Sequence, residues 1–94
     1  MVYIDAVHYE KDSHGYDVIA NVRWTNNLDE TATKSCTKAA MIKFINENPN
    51  CTKTKYLKNG SYILGEDVRV IDNSYIRSDA NNIKKDNLGS LPAY

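Results

Sequence analysis

The clearest pattern in the chain lies in residues 16–25, where apolar and polar side chains alternate. Tyr16, Val18, Ala20, Val22 and Trp24 fall on one face, and Asp17, Asn21, Arg23 and Thr25 fall on the other. Only Ile19 interrupts the polar side. A period of two is the mark of a strand with one buried face. Residues 2–9 form a second run of aromatic and β-branched side chains, and the turn-forming cluster Lys11-Asp12-Ser13-His14-Gly15 separates the two. The pattern predicts a hairpin.

After a polar loop over 26–34 the period changes. A spacing of three and four joins Ala40, Met41, Phe44, Ile45 and Asn48, with Lys38 and Lys43 off that stripe. This predicts an amphipathic helix of about three turns. Ser35 or Thr37 supplies a capping hydroxyl, and Pro49 ends the helix because it has no amide to donate. Residues 51–57 alternate Thr and Lys before Tyr56, which predicts a strand with Lys53 and Lys55 facing water. Asn59-Gly60 is a hairpin turn, since both residues tolerate positive φ. Tyr62-Ile63-Leu64 and residues 68–71 continue the sheet, and Asp72-Asn73-Ser74 turns the chain into Tyr75-Ile76-Arg77. The expected fold is α+β: a mostly antiparallel sheet in the order β-β-α-β-β, with Tyr75-Ile76-Arg77 as an optional fifth short strand and one helix packed on one face.

Composition narrows the class. A chain of 94 residues has room for one core, so a single domain over 1–94 is expected, with 75–94 docked on it. No apolar run approaches the ~18 residues of a membrane span, so no membrane partner is expected. The first residues lack the basic and apolar regions of a signal peptide. The expectation is a protein made and kept in the cytoplasm, with Cys36 and Cys51 as free, half-buried thiols. His8 and His14 do not sit at zinc-ligand spacing from the cysteines, so neither metal nor cofactor is expected.

Candidate chemistry is sparse. A nucleophilic site needs a base beside its nucleophile, and no local motif links Cys36 or Cys51 to His8 or His14. The acid pairs Asp29-Glu30 and Glu66-Asp67 lie in polar stretches where solvated carboxylates are the ordinary case. There is no glycine-rich phosphate loop. Catalysis is not expected.

The formal net charge is +0, but it is unevenly spread. Lys34, Lys38, Lys43, Lys53, Lys55 and Lys58 stand against Glu47 alone in the middle of the chain. Lys38, Lys43, Lys53, Lys55 and Lys58, with Tyr56 beside them, are therefore candidate contacts to nucleic acid: cations for phosphate and a ring for a base. The plainer account is a solvated helix face and a lysine-protected edge strand. Tyrosine is abundant; Tyr3, Tyr9 and Tyr16 read as sheet packing, and Trp24 near a strand end leaves a surface role open.

The overall pattern resembles a family of small bacterial and phage-borne proteins catalogued as a domain of unknown function. The matching residues are Tyr3, Ile4 and Val7; Val22-Arg23-Trp24; Met41, Ile42, Phe44 and Ile45; and, most fully, Tyr75-Ile76-Arg77-Ser78, Asp86-Asn87-Leu88 and Leu91-Pro92 with Tyr94. Phe44 stands where the family pattern has tryptophan. The resemblance implies one self-contained domain and no established activity, cofactor or catalytic residue.

That C-terminal motif has two readings. In the structural one, Asp86 or Asn87 closes an Asx-type turn, Leu88, Leu91 and Tyr94 dock into the end of the core, and Arg77 pairs with Asp79, Asp86 or a main-chain carbonyl. In the functional one, Arg77, Asp86 and Asn87, with Tyr75, Arg23 and Trp24, form a surface that recognises a partner. The function expected is a non-catalytic binding module acting on another protein, by analogy a phage- or mobile-element-borne modulator or inhibitor of a host system. The alternative is a nucleic-acid-binding accessory protein using residues 34–58. Monomer and homodimer remain equal options.

Overall fold

The computed structural model describes residues 1–78 and 85–94. Among them are β1 (Val2–Lys11), β2 (Asp17–Thr25), β3 (Lys34–Thr37), α1 (Lys38–Glu47), β4 (Thr52–Lys58), β5 (Ser61–Asp67), β6 (Arg69–Ile71) and β7 (Tyr75–Arg77). The fold is α+β. Five strands form one sheet in the order β3-β2-β1-β4-β5, and β6 pairs with β7 in a separate small hairpin. The pairings between these strands are antiparallel except β1 with β4, which is parallel and makes the sheet mixed. The short polar strand β3 stands within what the sequence pattern marks as a loop and a cap. Its backbone pairs with β2 from Asn21 to Trp24, and only its Cys36 turns partly toward the core.

Local chemistry explains the connections. Thr37 caps α1, accepting a hydrogen bond from the Ala40 amide at 3.1 Å. Asn48 closes the helix just before Pro49, its amide donating to the Phe44 carbonyl. Asn59 and Gly60 both take positive φ, at 52° and 81°, and join β4 to β5. Asp72 and Asn73 do the same between β6 and β7, at 54° and 53°.

Three irregularities decide which side chains are buried. His8 faces Asn21 and Tyr9 faces Ile19, which leaves Ala20 unpaired. Such a bulge moves the alternation by one residue. Ile19, the apparent exception in the sequence pattern, therefore joins Val22 in the core, while Tyr16 is exposed in the turn. A second irregularity leaves Asp5 unpaired between Ile4, opposite Trp24, and Ala6, opposite Arg23. In the third, Gly65 and Glu66 together oppose Thr54. A Cβ on Gly65 would stand 2.2 Å from Thr54 Oγ1 and 2.9 Å from its carbonyl oxygen, so only glycine fits.

One face of the sheet is covered by α1 and the β6–β7 hairpin. The core joins Val2, Ile4, Val7, Ile19, Val22, Met41, Ile42, Ile45, Val68, Ile76 and Leu88, with Trp24, Cys36, Phe44, Val70 and Leu91 packed against it. The C-terminal segment is part of this architecture. Because β4 pairs with β1 only at Val2, Tyr3 and Ile4, the rest of that edge is open. The tail fills it: the Val7 amide donates to the Pro92 carbonyl, and the Tyr94 amide donates to the Val7 carbonyl, both at 2.9 Å.

Candidate functional site

The polar C-terminal residues converge on Asp86, whose side chain is only 3% exposed. Its Oδ2 accepts from the Ile19 amide and from Lys38 Nζ, each at 3.0 Å, and its Oδ1 accepts from the Ile76 amide at 3.0 Å. One carboxylate thus ties β2, the start of α1 and β7 together. Ile19 lies beyond the point where β3 stops pairing, so Asp86 supplies an acceptor that no neighbouring strand provides. Asn87 Oδ1 accepts from the Gly89 amide at 2.9 Å, an Asx turn. Arg77 is buried and donates from Nη1 to the Lys85 carbonyl at 2.9 Å. Asp79, the other acid considered for Arg77, lies outside the described residues. Tyr75 flanks the cluster, with Lys38 Nζ 5.7 Å from its ring centre.

Arg23 and Trp24 lie elsewhere, on opposite faces of β2. The Arg23 guanidinium stacks over the Tyr94 ring at 4.1 Å, and His8 Nδ1 bonds the Tyr94 main-chain oxygen. Tyr94 therefore packs on the outer face of the sheet and not in the core, since the register that pairs Ala93 with Val7 sends the next side chain outward. Burial raises the Tyr94 phenol above its ordinary value, with Arg23 acting against the rise.

The lysines expected on one face are dispersed. Lys53 pairs with Asp67 at 3.0 Å and Lys38 with Asp86 at 3.0 Å. Lys43 reaches Glu47 at 4.0 Å, Lys58 is exposed at the β4–β5 turn, and Tyr56 lies exposed beside it. Lys55, expected to face water, is completely buried. Its ammonium donates to the carbonyls of Asn27 and Leu28 at 3.1 Å, and to that of Glu30. Asp5 Oδ2 stands 3.9 Å away, and the Tyr62 ring covers the cation at 3.8 Å. Burial pulls the Lys55 pKa below its ordinary value, opposed by Asp5, Asp29 and Glu30. The physical reason is tertiary. The loop between β2 and β3 folds back over the outer sheet face, held also by the Ala32 amide donating to Asp5 Oδ2 at 2.8 Å.

Trp24 is half-buried and lines a groove of about 570 Å³ between α1 and the sheet. Met41, Phe44, Cys36 and Cys51 form its apolar walls, with Asn26 and Asn48 among its polar lining. Lys34 Nζ sits 4.9 Å from the Trp24 ring centre. Ala40 also lines the groove and is exposed on α1. Both cysteines are free, and burial pushes the Cys36 thiol upward, away from nucleophilic use. Sequence reasoning singled out Trp24 but not its groove; Phe44 and Met41 had the helical spacing of core residues, and nothing local joins them to Cys36 or Cys51.

Among the described residues, no group of three or more His, Cys, Asp or Glu could hold a metal ion, and no helix is long and apolar enough to cross a membrane. The fold and its cross-braced tail define a small α+β domain with a mixed five-stranded sheet and one packed helix. The chain belongs to the family described as protein of unknown function (DUF3892), whose model matches residues 3–92. No match was found among curated proteins or among solved structures.

Proposed function

We propose that the protein is a non-catalytic binding module that acts through a surface on another protein. The observation carrying this reading is Trp24, a half-buried indole that lines an apolar groove with Lys34 beside its ring. Large rings set in a groove are the usual anchors of protein recognition. The partner that suits the groove presents an apolar side chain flanked by an acid, the first for Met41 and Phe44 and the second for Lys34. The polar residues of the C-terminal cluster are committed to main-chain groups and to one another, which suits a brace more than a reacting site. The internal pairing of Lys38, Lys53 and Lys55 also weakens the case for a continuous phosphate-binding face.

By analogy with small domains that block larger assemblies by occupying a surface, the reading extends to a cytoplasmic modulator or inhibitor of a host system, carried by a phage or mobile element. Gene neighbourhood tests that extension: defence or prophage genes beside it support it, and replication genes beside it favour the nucleic-acid alternative. The binding class is tested by affinity capture from cells together with retardation of DNA and RNA. A protein partner retained at moderate salt, with no retardation at low salt, is expected. Retardation that falls steeply with salt would overturn the reading in favour of nucleic acid.

A further inference from the structure

We propose that a second copy of this chain occupies the free edge of β5, in an antiparallel pairing that makes one continuous sheet across a twofold axis. Among the described residues β4 is the only strand beside β5, which leaves its other edge open. Over 61–64 it carries neither lysine nor proline, the residues that commonly protect such edges. The bulge at Gly65 and Glu66 marks where this regular stretch ends.

The hairpin also exposes more apolar surface than a solvated edge needs. Tyr56, Leu57, Ile63 and Leu64 sit on its two adjacent strands and are between 38% and 61% exposed. By the β4–β5 register Tyr56 and Ile63 stand side by side on one face and Leu57 and Leu64 on the other, so a strand added at this edge would meet apolar side chains on both of its faces.

Charge then selects the occupant and its direction. Lys58 stands at the turn end of the hairpin and Glu66 at the bulge end, both exposed. Neither has an ion-pair partner among the described residues, whereas Asp67 is already held by Lys53. Antiparallel pairing of two identical edges brings each Lys58 toward the partner's Glu66. Parallel pairing would set lysine beside lysine and acid beside acid. The edge is therefore self-complementary in one direction only, as a twofold interface requires. A short edge and four side chains put the contact at the small end of interfaces, below about 1,200 Å². A weak, exchanging dimer is expected. The edge lies at the opposite side of the sheet from the Trp24 groove, so this inference does not rest on the groove's occupant.

Sedimentation equilibrium of the full chain, from roughly 10 μM to 1 mM, tests it directly. Wild type should show a concentration-dependent monomer–dimer equilibrium, and Ile63→Lys should be monomeric throughout. Lys58→Glu alone and Glu66→Lys alone should each weaken the dimer by roughly tenfold, because two symmetric ion pairs become repulsive. The double variant should restore wild-type affinity. Within one chain the two residues lie about 16 Å apart along the strand direction, so restoration reports contact between copies. Far-UV circular dichroism confirms that these surface variants keep the fold. A wild type monomeric at every concentration would overturn the proposal. So would a dimer indifferent to Ile63→Lys, or a double variant as weak as the single ones.

Discussion

Lys38 and Asp86 meet at 3.0 Å, although 48 positions separate them in the chain. Lys38 opens α1, and Asp86 opens the Asp86-Asn87-Leu88 motif, so the pair binds the tail to the start of the helix. Since Asp86 also accepts the Ile19 and Ile76 amides, its loss strands two donors and a cation in a largely buried site. Asp86→Ala should destabilise the fold by about 3 kcal/mol. That should lower Tm by roughly 4–8 °C for each kcal/mol. Removing residues 86–94 should cost more, since Leu88 leaves the core and Val7 loses its partners. Thermal melts check both. A melting temperature unchanged in the truncated chain would contradict the bracing role.

Lys55 should prove equally structural. Lys55→Met keeps the length of the stem but leaves three carbonyls and the Asp5 carboxylate without their cation. Breaking a buried ionic site in this way costs about 3–5 kcal/mol. Denaturant unfolding should show that loss, and hydrogen exchange should quicken at the Ala32 amide, which depends on Asp5. A variant as stable as wild type would show that the loop closes without its lysine.

The β1–β2 turn supplies a pH prediction. Asp12 Oδ1 accepts from the His14 amide at 2.8 Å and the Tyr16 amide at 3.0 Å. The Tyr16 bond is the largest cause holding its pKa below 3.8. For an acid with a lowered folded value, the turn's stabilisation is present above 3.8 and is lost as pH falls through the lower folded value. Amide chemical shifts of His14 and Tyr16 should titrate together with a midpoint under 3.8. A midpoint at or above that value would mean the turn does not hold the carboxylate.

Much of the fold was legible because its signals are local. Thr37 and Pro49 bound the helix, Asn59-Gly60 makes its turn, and the C-terminal motif identified the family. The misread positions depend on distant chain. Ile19 looked like an error in an alternating strand because the bulge at Ala20 is visible only once β1 is paired. Lys55 sat in a Thr-Lys alternation that suits an exposed strand, and the loop that buries it comes from 25 or more positions upstream. Of the candidate partner residues, Arg77, Asp86, Asn87 and Tyr75 gather at one cluster, while Arg23 and Trp24 separate because neighbours on a strand point to opposite faces.

The central claim is that the Trp24 groove receives a protein partner, and the most direct measurement fills that groove from an exposed position. Ala40 lines it, whereas Ala39, also exposed on α1, does not. Arginine suits a helix nearly as well as alanine, so neither substitution should disturb folding by more than a few tenths of a kcal/mol. Affinity capture from cells should lose the partner with Ala40→Arg and keep it with Ala39→Arg. Equal recovery by the two variants would contradict the account.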